Sequence, residues 1–321
     1  MKSPVLLITF NRPEHMRRVL SEVLKAHPKD LYIFQDGVRE GNQNDIIDCS
    51  KVRDVINKMT ECHEIRHHTF FPEKNLGCGP GPAAAITWFF AHEEQGIILE
   101  DDAVPHPDFF PYADELLDRY KDDDTVRAIG SMNVDTQHWG DGSYYFSMMN
   151  RNLCAWATWR RAWEDFDIKV SDTSRQHLNK VLKKYSCGLL ERSYWCDRLS
   201  EVQKDGCGGK SWDIQFFISI WLHCGKGIIP NVNLSSNIGT VGDATHPMAA
   251  GNLIDNVPSS PILPLIHPTS TVIQHEADRQ FHFRYFEPGK KNWSRTRIVY
   301  NLVNRSIKRL LGHKGPWSKR R

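Results

Sequence analysis

The chain has 321 residues, of which 40% are hydrophobic, 11% aromatic and 25% charged, a globular balance that excludes a disordered or fibrous protein. Its formal net charge of +2 hides an asymmetry, because the segment from Pro288 to the end holds eleven Lys and Arg and no Asp or Glu. Subtracting those eleven charges leaves −9 for residues 1–287, so a mildly acidic body precedes a strongly basic end.

Strands and helices are predicted in turn through about the first 130 residues, because short apolar runs alternate with segments whose apolar residues recur at helical spacing. The predicted elements lie at 5–10, 14–25, 31–34, 45–59, 64–70, 83–94 and 96–99. This alternation is typical of a doubly wound, mainly parallel α/β sheet. Ligands of such sheets bind beyond the carboxyl ends of the strands.

The pattern becomes mixed after residue 131. Short strands and helices are predicted at 127–131, 144–146, 176–185, 191–204, 211–223 and 228–229. Residues 239–270 are rich in Gly, Pro, Ser and Thr without periodicity, which predicts a long loop or lid. We divide the chain into two halves of one domain at 1–130 and 131–240, a loop or lid at 241–287, and a basic amphipathic tail at 288–321.

Three carboxylates, Glu100-Asp101-Asp102, directly follow the apolar strand that ends at Leu99. Packed carboxylates repel one another and lose hydration, and a divalent cation relieves the repulsion. Hard oxygen ligands suit Mg²⁺ or Mn²⁺ carrying a phosphate group. The alternative is a solvated turn. Polar residues also end the strands at Thr9 to Arg12 and at Asp36, so all three strand ends are expected to face one crevice.

Four motifs together resemble a known family. They are a Phe10-Asn11-Arg12 turn after an apolar strand, a strand ending Gln35-Asp36-Gly37, the block Glu100-Asp101-Asp102 followed by Pro107-Asp108-Phe109-Phe110, and a helix beginning Trp212-Asp213. With these motifs, residues 4–240 resemble the nucleotide-diphosphosugar glycosyltransferases of the GT-A type. The closest resemblance is to the inverting N-acetylglucosaminyltransferase I family and its bacterial relatives.

The resemblance implies a role for each motif. Residues 1–130 would bind the nucleotide sugar and residues 131–240 the acceptor. Asp102 would be the direct ligand of a divalent cation, Mn²⁺ or Mg²⁺. The donor would be contacted by Thr9, Arg12, Asp36, Glu100 and Asp101. Within this set Asp36 would recognise the nucleobase, although an Asp before Gly37 is also a common turn former.

Asp213 is the candidate general base, because inversion at a sugar carbon needs a carboxylate that takes the proton of the attacking hydroxyl. The alternative is that Asp213 only caps its helix. Trp156, Trp159 and Trp212 are candidates for the acceptor side, since aromatic faces stack on sugar rings, and core packing is the alternative for each. His246, in the expected lid, is a second candidate metal ligand.

The resulting hypothesis is a metal-dependent, inverting glycosyltransferase of polysaccharide biosynthesis. It would move a sugar from a nucleoside diphosphate donor, with UDP favoured, to a hydroxyl of a glycan or lipid-linked glycan. One alternative is a sugar-nucleotide nucleotidyltransferase, which usually has a Gly-rich basic loop where this chain has Phe10 to Pro13. The other is a non-catalytic glycan-binding module. No nucleic-acid partner is expected.

The location is predicted from what the sequence lacks. No C-x-x-C pair occurs among the eight cysteines, the six apolar or near-apolar residues near the start are too few for a signal peptide, and no run reaches membrane-spanning length. We therefore expect a cytoplasmic protein with free thiols. The basic amphipathic segment 295–321 predicts a helix that lies on an anionic membrane surface or, alternatively, docks on the acidic body.

Overall fold

A computed structural model describes residues 1–135, 137–149, 151, 153–205, 211–239 and 256–310. The strands are β1 Val5–Thr9, β2 Asp30–Gln35, β3 Arg66–Phe70, β4 Gln95–Glu100, β5 Ala103–Pro105, β6 Val126–Gly130, β7 Tyr144–Ser147, β8 Ala155–Trp159, β9 Lys226–Pro230 and β10 Ser235–Asn237. The helices are α1 Pro13–Lys25, α2 Gln43–Thr60, α3 Pro80–Phe90, α4 Phe109–Arg119, α5 Arg160–Trp163, α6 Arg175–Lys184, α7 Leu189–Asp205, α8 Asp213–Leu222, α9 His275–Tyr285 and α10 Arg295–Leu310.

The central sheet of the described residues has eight strands in the order β3-β2-β1-β4-β8-β6-β9-β7. Strands β1 to β4, β6 and β9 run in one direction, and β7 and β8 run against them. The predicted fold class, a doubly wound and mainly parallel sheet with a mixed second half, is confirmed. A separate two-stranded ribbon pairs β5 with β10 in antiparallel register.

Neighbouring residues of a strand point to opposite faces of the sheet, and in β1 the residues on both faces are buried. In β1, Val5 and Leu7 face a core that includes side chains of α1, α2 and α4, whereas Leu6 and Ile8 face one that includes α3, α6, α7 and α8. This two-sided burial explains why central strands such as β1 and β4 are continuous apolar runs. The helices are amphipathic for the same reason, as in α1, where Met16, Val19 and Val23 are all buried.

Strand β8 was not predicted, since its Trp-rich sequence has no simple period. It lies between β4 and β6 and is antiparallel to both, with Leu99 of β4 opposite Ala155 and Gln95 opposite Trp159. The amino end of β8 therefore meets the carboxyl end of β4. This position brings residues near 154 to the carboxylates that follow β4.

The predicted loop at 241–287 falls partly outside the described residues, which resume at Asn256. From there the chain is bonded to the body: the Asn256 amide donates to Asn237 O at 2.9 Å, and the Ile262 amide donates to Asp108 Oδ2 at 2.9 Å. Helix α9 follows within the same range and was not predicted. The described part of this segment is thus a stretch that is hydrogen-bonded to the body and is followed by a helix, and the lid stays a prediction.

The predicted amphipathic helix near the carboxyl end is present as α10. Its Arg305 side chain bonds to Glu287, a buried carboxylate that also accepts a hydrogen bond from Lys290 Nζ at 2.8 Å. Arg305 also lies 3.9 Å from Asp197 of α7. One side of α10 is therefore docked on the body. Among the described residues, no helix combines the length and the hydrophobicity needed to cross a membrane.

Candidate functional site

The three polar strand ends lie at one edge of the sheet, as predicted. Parallel register pairs Ile8 of β1 with Glu100 of β4, and Thr9 of β1 with Gln35 of β2. Because these strands run in the same direction, their carboxyl ends open onto the same side. The turn after β1, the turn after β2 and the carboxylates after β4 therefore lie together at this edge, and the space that they face is the candidate crevice.

Asp101 faces the protein rather than the crevice. Its Oδ2 atom accepts a hydrogen bond from Thr9 Oγ1 at 2.6 Å and another from the Phe10 amide at 3.2 Å. Both Thr9 and Asp101 are buried. The pair joins the ends of β1 and β4, so its effect on a bound donor would be indirect, through the position of the neighbouring residues.

Asp102 is enclosed by the turn after β1 and by the residues after β10. Arg12 Nη1 lies 3.6 Å from Asp102 Oδ2, and both side chains are about one-fifth exposed. The Ile238 amide donates to the Asp102 carbonyl oxygen at 2.8 Å. Gly239 follows, and a Cβ atom there would lie 2.1 Å from Asp102 Oδ2. Only glycine allows the backbone to pass this close to the carboxylate.

Glu100, Asp102 and Cys154 form a group of potential metal ligands. One carboxylate oxygen of each acid and the Cys154 Sγ atom all lie within 4.8 Å of one another. The Glu100 amide also donates to the Cys154 carbonyl oxygen at 2.7 Å. The sequence gives no sign of Cys154 as a ligand, because it stands 52 positions after Asp102 and belongs to no cysteine motif.

The electrostatics of this group favour a bound cation. Burial, reinforced by the charges of Asp102 and Asp101, raises the pKa of Glu100 well above its ordinary range. Burial likewise raises the pKa of Asp101, against the opposing hydrogen bond from Thr9. Crowded, poorly hydrated carboxylates repel one another, and a divalent ion among them would remove that repulsion. The donors present therefore fit a metal ion.

Asp36 is fully engaged by the protein. Its Oδ1 atom accepts hydrogen bonds from the Gly37 and Leu76 amides, each at 2.8 Å, and its Oδ2 atom accepts from the Gly77 amide at 2.9 Å and from Asn75 Nδ2 at 3.1 Å. Burial raises its pKa, while the three amides oppose that shift. Asp36 thus fastens the loop before α3 to the edge of the crevice.

Asp213 is the first residue of α8, and the cap position is Trp212, which makes no side-chain capping hydrogen bond. The Asp213 carboxylate accepts hydrogen bonds from the Ser211 hydroxyl and, at 2.9 Å, from the Ile214 amide. Its charge adds to those that raise the pKa of Glu100. Asp213 at the start of α8 therefore lies within electrostatic reach of the carboxylates that follow β4.

The three tryptophans are buried, as the core-packing alternative stated. Trp156 pairs with Ile98 of β4 and stacks on Trp212, with ring centroids 5.8 Å apart, so these two rings support the start of α8. Trp159 pairs with Gln95 at the other end of β4 and packs in the core on the opposite face. Trp159 is therefore not part of the candidate site. His246 lies outside the described residues.

Comparisons with known proteins give weak similarities. No protein-family model matches the chain, and no curated protein matches it. Among solved structures, HddC from Yersinia pseudotuberculosis is 9% identical with a TM-score of 0.31, over 51% of this chain and 80% of that chain. UDP-glucose pyrophosphorylase complexed with UDP-glucose is 10% identical with a TM-score of 0.32, over 54% and 81%.

Mouse xyloside xylosyltransferase 1 in its apo form is 13% identical with a TM-score of 0.31, over 68% of this chain and 81% of that chain. Identities and TM-scores of this size do not establish membership of a family. The fold class therefore rests on the strand order of the sheet, and the candidate site rests on its own geometry.

Proposed function

We propose that this protein is a metal-dependent, inverting glycosyltransferase of the kind represented by the N-acetylglucosaminyltransferase I family. It would transfer a sugar from a nucleoside diphosphate donor, most simply a UDP-sugar, to a hydroxyl of a glycan or lipid-linked glycan. One observation carries the proposal: the donor atoms of Glu100, Asp102 and Cys154 converge within 4.8 Å at the carboxyl ends of parallel strands. Ligands of doubly wound sheets bind at that place.

Two positive charges could offset the negative charge of a nucleoside diphosphate in the crevice, namely a bound cation and the guanidinium of Arg12. The acidic group would hold a divalent cation, Mn²⁺ or Mg²⁺, whose chemistry is to neutralise the charge that develops on the departing diphosphate. Arg12, 3.6 Å from Asp102, would place a guanidinium beside the same phosphates. Thr9 and Asp101 would hold the turn that carries Arg12, and Asp36 would hold the loop at 75–77.

Asp213 is the residue that we assign to the attacking hydroxyl. An inverting transfer needs a base on the side opposite the departing group, and Asp213 approaches the crevice from α8 rather than from the donor strands. The Ser211 hydroxyl and the Ile214 amide orient its Oδ1 atom. Trp156 and Trp212 would act behind it, by fixing the start of α8.

The turn after β1 favours this function over that of a nucleotidyltransferase. Asn11 Nδ2 donates to Asp45 at 2.9 Å, Arg12 reaches Asp102, and Pro13 starts α1. The turn is thus held by side chains and contains no glycine. A Gly-rich loop, whose amides would wrap around a nucleoside triphosphate, does not follow β1.

Calorimetric titration with UDP, in the presence and absence of Mn²⁺, tests the proposal. We expect binding that requires the metal and is lost in Asp102→Asn, while Asp118→Asn, which removes an exposed charge from α4, binds as the unmodified protein does. Release of UDP from a UDP-sugar identifies a transferase. Release of pyrophosphate from UTP and a sugar phosphate identifies a nucleotidyltransferase, and metal-independent glycan binding alone identifies a binding module.

A membrane surface is the partner that we propose for α10. Its outward side chains Val299, Tyr300, Val303 and Ile307 are 48%, 69%, 50% and 47% exposed. The segment from Pro288 onward has only basic charges, which suits anionic lipid. Four side chains are too few for a stable dimer, which needs about 800 Å² from each partner, and two such tails would repel each other. A glycolipid acceptor would fit this location.

A further inference from the structure

Cys154 is held in place by the sheet itself. It immediately precedes β8, and the antiparallel pairing of β8 with β4 brings its carbonyl oxygen within 2.7 Å of the Glu100 amide. Its Sγ atom lies within 4.8 Å of the ligand oxygens of Glu100 and Asp102. In zinc sites each ligand atom lies about 2.0–2.3 Å from the metal. Two ligands of one ion can therefore be no more than about twice that distance apart, and the Cys154 sulfur and the two carboxylate oxygens come close to this limit.

A second residue connects the thiol to the rest of the site. Asn237 Nδ2 lies 3.8 Å from Cys154 Sγ, and Asn237 Oδ1 accepts a hydrogen bond from the Gly239 amide at 2.8 Å. Gly239 is the residue whose backbone lies close to the Asp102 carboxylate. The same asparagine therefore contacts the sulfur and positions the backbone beside the carboxylate. Cys154 forms no disulfide, so its side chain is a thiol.

We propose that Cys154 is a direct ligand of the metal ion, together with Glu100 and Asp102, and that the site selects thiophilic divalent ions such as Zn²⁺ or Co²⁺ over Mg²⁺. The inference rests on the proposed function and revises the cation expected there, because a site with a thiolate ligand would bind Zn²⁺ or Co²⁺ more tightly than Mn²⁺ and Mg²⁺. Carboxylates alone suit Mg²⁺ and Mn²⁺, whereas a thiolate favours softer ions. Three protein ligands leave a coordination position open, which a diphosphate oxygen of the donor can occupy.

Binding of the ion would exchange one bond for another. The side chains of Cys154 and Glu100 are hydrogen-bonded to each other. On binding, the Cys154 thiol would release its proton to solvent, and Cys154 Sγ would then hold the ion together with oxygens of Glu100 and Asp102. No electron transfer takes place. Mg²⁺ does not gain comparably from sulfur, so the thiol discriminates between the ions.

Absorption spectroscopy with Co²⁺ tests the proposal directly. We expect the unmodified protein to show a thiolate-to-cobalt charge-transfer band that is absent from Cys154→Ser and from Asp102→Asn. Cys49→Ser, which removes a buried cysteine of α2, should retain the band. Calorimetry should show that Cys154→Ser lowers the Zn²⁺ affinity by more than about tenfold and changes the Mg²⁺ affinity little.

The outcomes separate this inference from the proposed function. Co²⁺ binding that depends on Asp102 but gives no sulfur band would overturn the role of Cys154 and leave the carboxylate site intact. A band that survives in Cys154→Ser would also overturn it. No metal binding by the unmodified protein would overturn the metal site as a whole. If Cys154→Ser does not fold, the spectrum of the unmodified protein and its dependence on Asp102 still decide the question.

Discussion

Gly239 lies so close to Asp102 that a Cβ atom at position 239 would be 2.1 Å from Asp102 Oδ2 and 2.9 Å from its Cγ. The two residues meet because β10 pairs with β5, which begins directly after Asp102. The shape of the proposed metal site thus depends on a residue 137 positions away from its central carboxylate.

Replacing Gly239 with alanine should therefore displace the Asp102 carboxylate. We expect Gly239→Ala to weaken metal-dependent UDP binding by about 100-fold, since shifts of about 1 Å have costs of that order in positioned sites. Calorimetry with UDP and Mn²⁺ measures the effect. Ser236→Ala is the matched control on the same ribbon, because Ser236 alternates away from the buried side of β10. Unchanged binding in Gly239→Ala would contradict the proposed site.

Asp213→Asn should separate catalysis from donor binding. Because Asp213 is assigned to the proton of the attacking hydroxyl, its loss should reduce kcat by about 10²–10⁴-fold while the affinity for UDP stays nearly constant. Kinetics with a UDP-sugar, together with UDP titration, measure both quantities. Asp172→Asn, which removes an exposed carboxylate, serves as the control. A loss of UDP affinity with unchanged kcat would exclude Asp213 as the base.

The stability of the protein should depend on pH through Asp278 of α9. This buried carboxylate accepts hydrogen bonds from Ser147 and from the Met148 amide, and burial raises its pKa from 3.8 to about 6. Between about pH 4 and pH 6, Asp278 therefore keeps its proton in the folded state but has lost it in the unfolded state. Stability from this group is present below that window and is lost as the pH rises through about 6.

Urea unfolding of the unmodified protein and of Asp278→Asn, across this range, measures the effect. The asparagine does not titrate. As the pH rises, the unfolding free energy of the unmodified protein should therefore fall by about 3 kcal/mol relative to that of Asp278→Asn, and the difference should then level off. The lost hydrogen bond of the variant adds an offset that is constant with pH. A difference that does not change with pH would refute the assignment.

The outward face of α10 should bind anionic vesicles. Val303 is half exposed, and an aspartate there would place a negative charge in the contact, so Val303→Asp should sediment with phosphatidylserine vesicles at least several-fold less than the unmodified protein. Ile46→Asp provides the matched control, because Ile46 is an exposed apolar residue of α2. Binding should also weaken with salt. Equal loss in both variants would argue against α10.

Much of the donor half was predictable from local sequence. Continuous apolar runs identified β1, β2 and β4, and helical spacing identified α1 and α2, with ends displaced by only a few residues. The convergence of Thr9, Asp36 and Glu100 at one edge followed from a general property of parallel sheets. These predictions succeeded because burial on both faces leaves its pattern in the residues of each element itself.

The different directions in which the carboxylates of Glu100, Asp101 and Asp102 point were not predictable. Asp101 is turned toward Thr9, and Glu100 and Asp102 face Cys154, although the three acids are adjacent in sequence. The tryptophans show the same limit, since Trp156 and Trp159 are three residues apart but pack on opposite faces of the sheet. An aromatic side chain suits a hydrophobic core as well as a sugar-binding site, so its presence in the sequence does not tell which of the two it belongs to.

The sequence by itself determined the alternating architecture, the acidic end of β4 and the basic, amphipathic character of α10, because each is a property of neighbouring residues. Only the tertiary structure decided that β8 runs against β4, that Cys154 meets Glu100, and that Gly239 packs on Asp102. Pairing between distant strands depends on how whole elements pack around a shared core. No residue carries a local signal of the partner that it meets there.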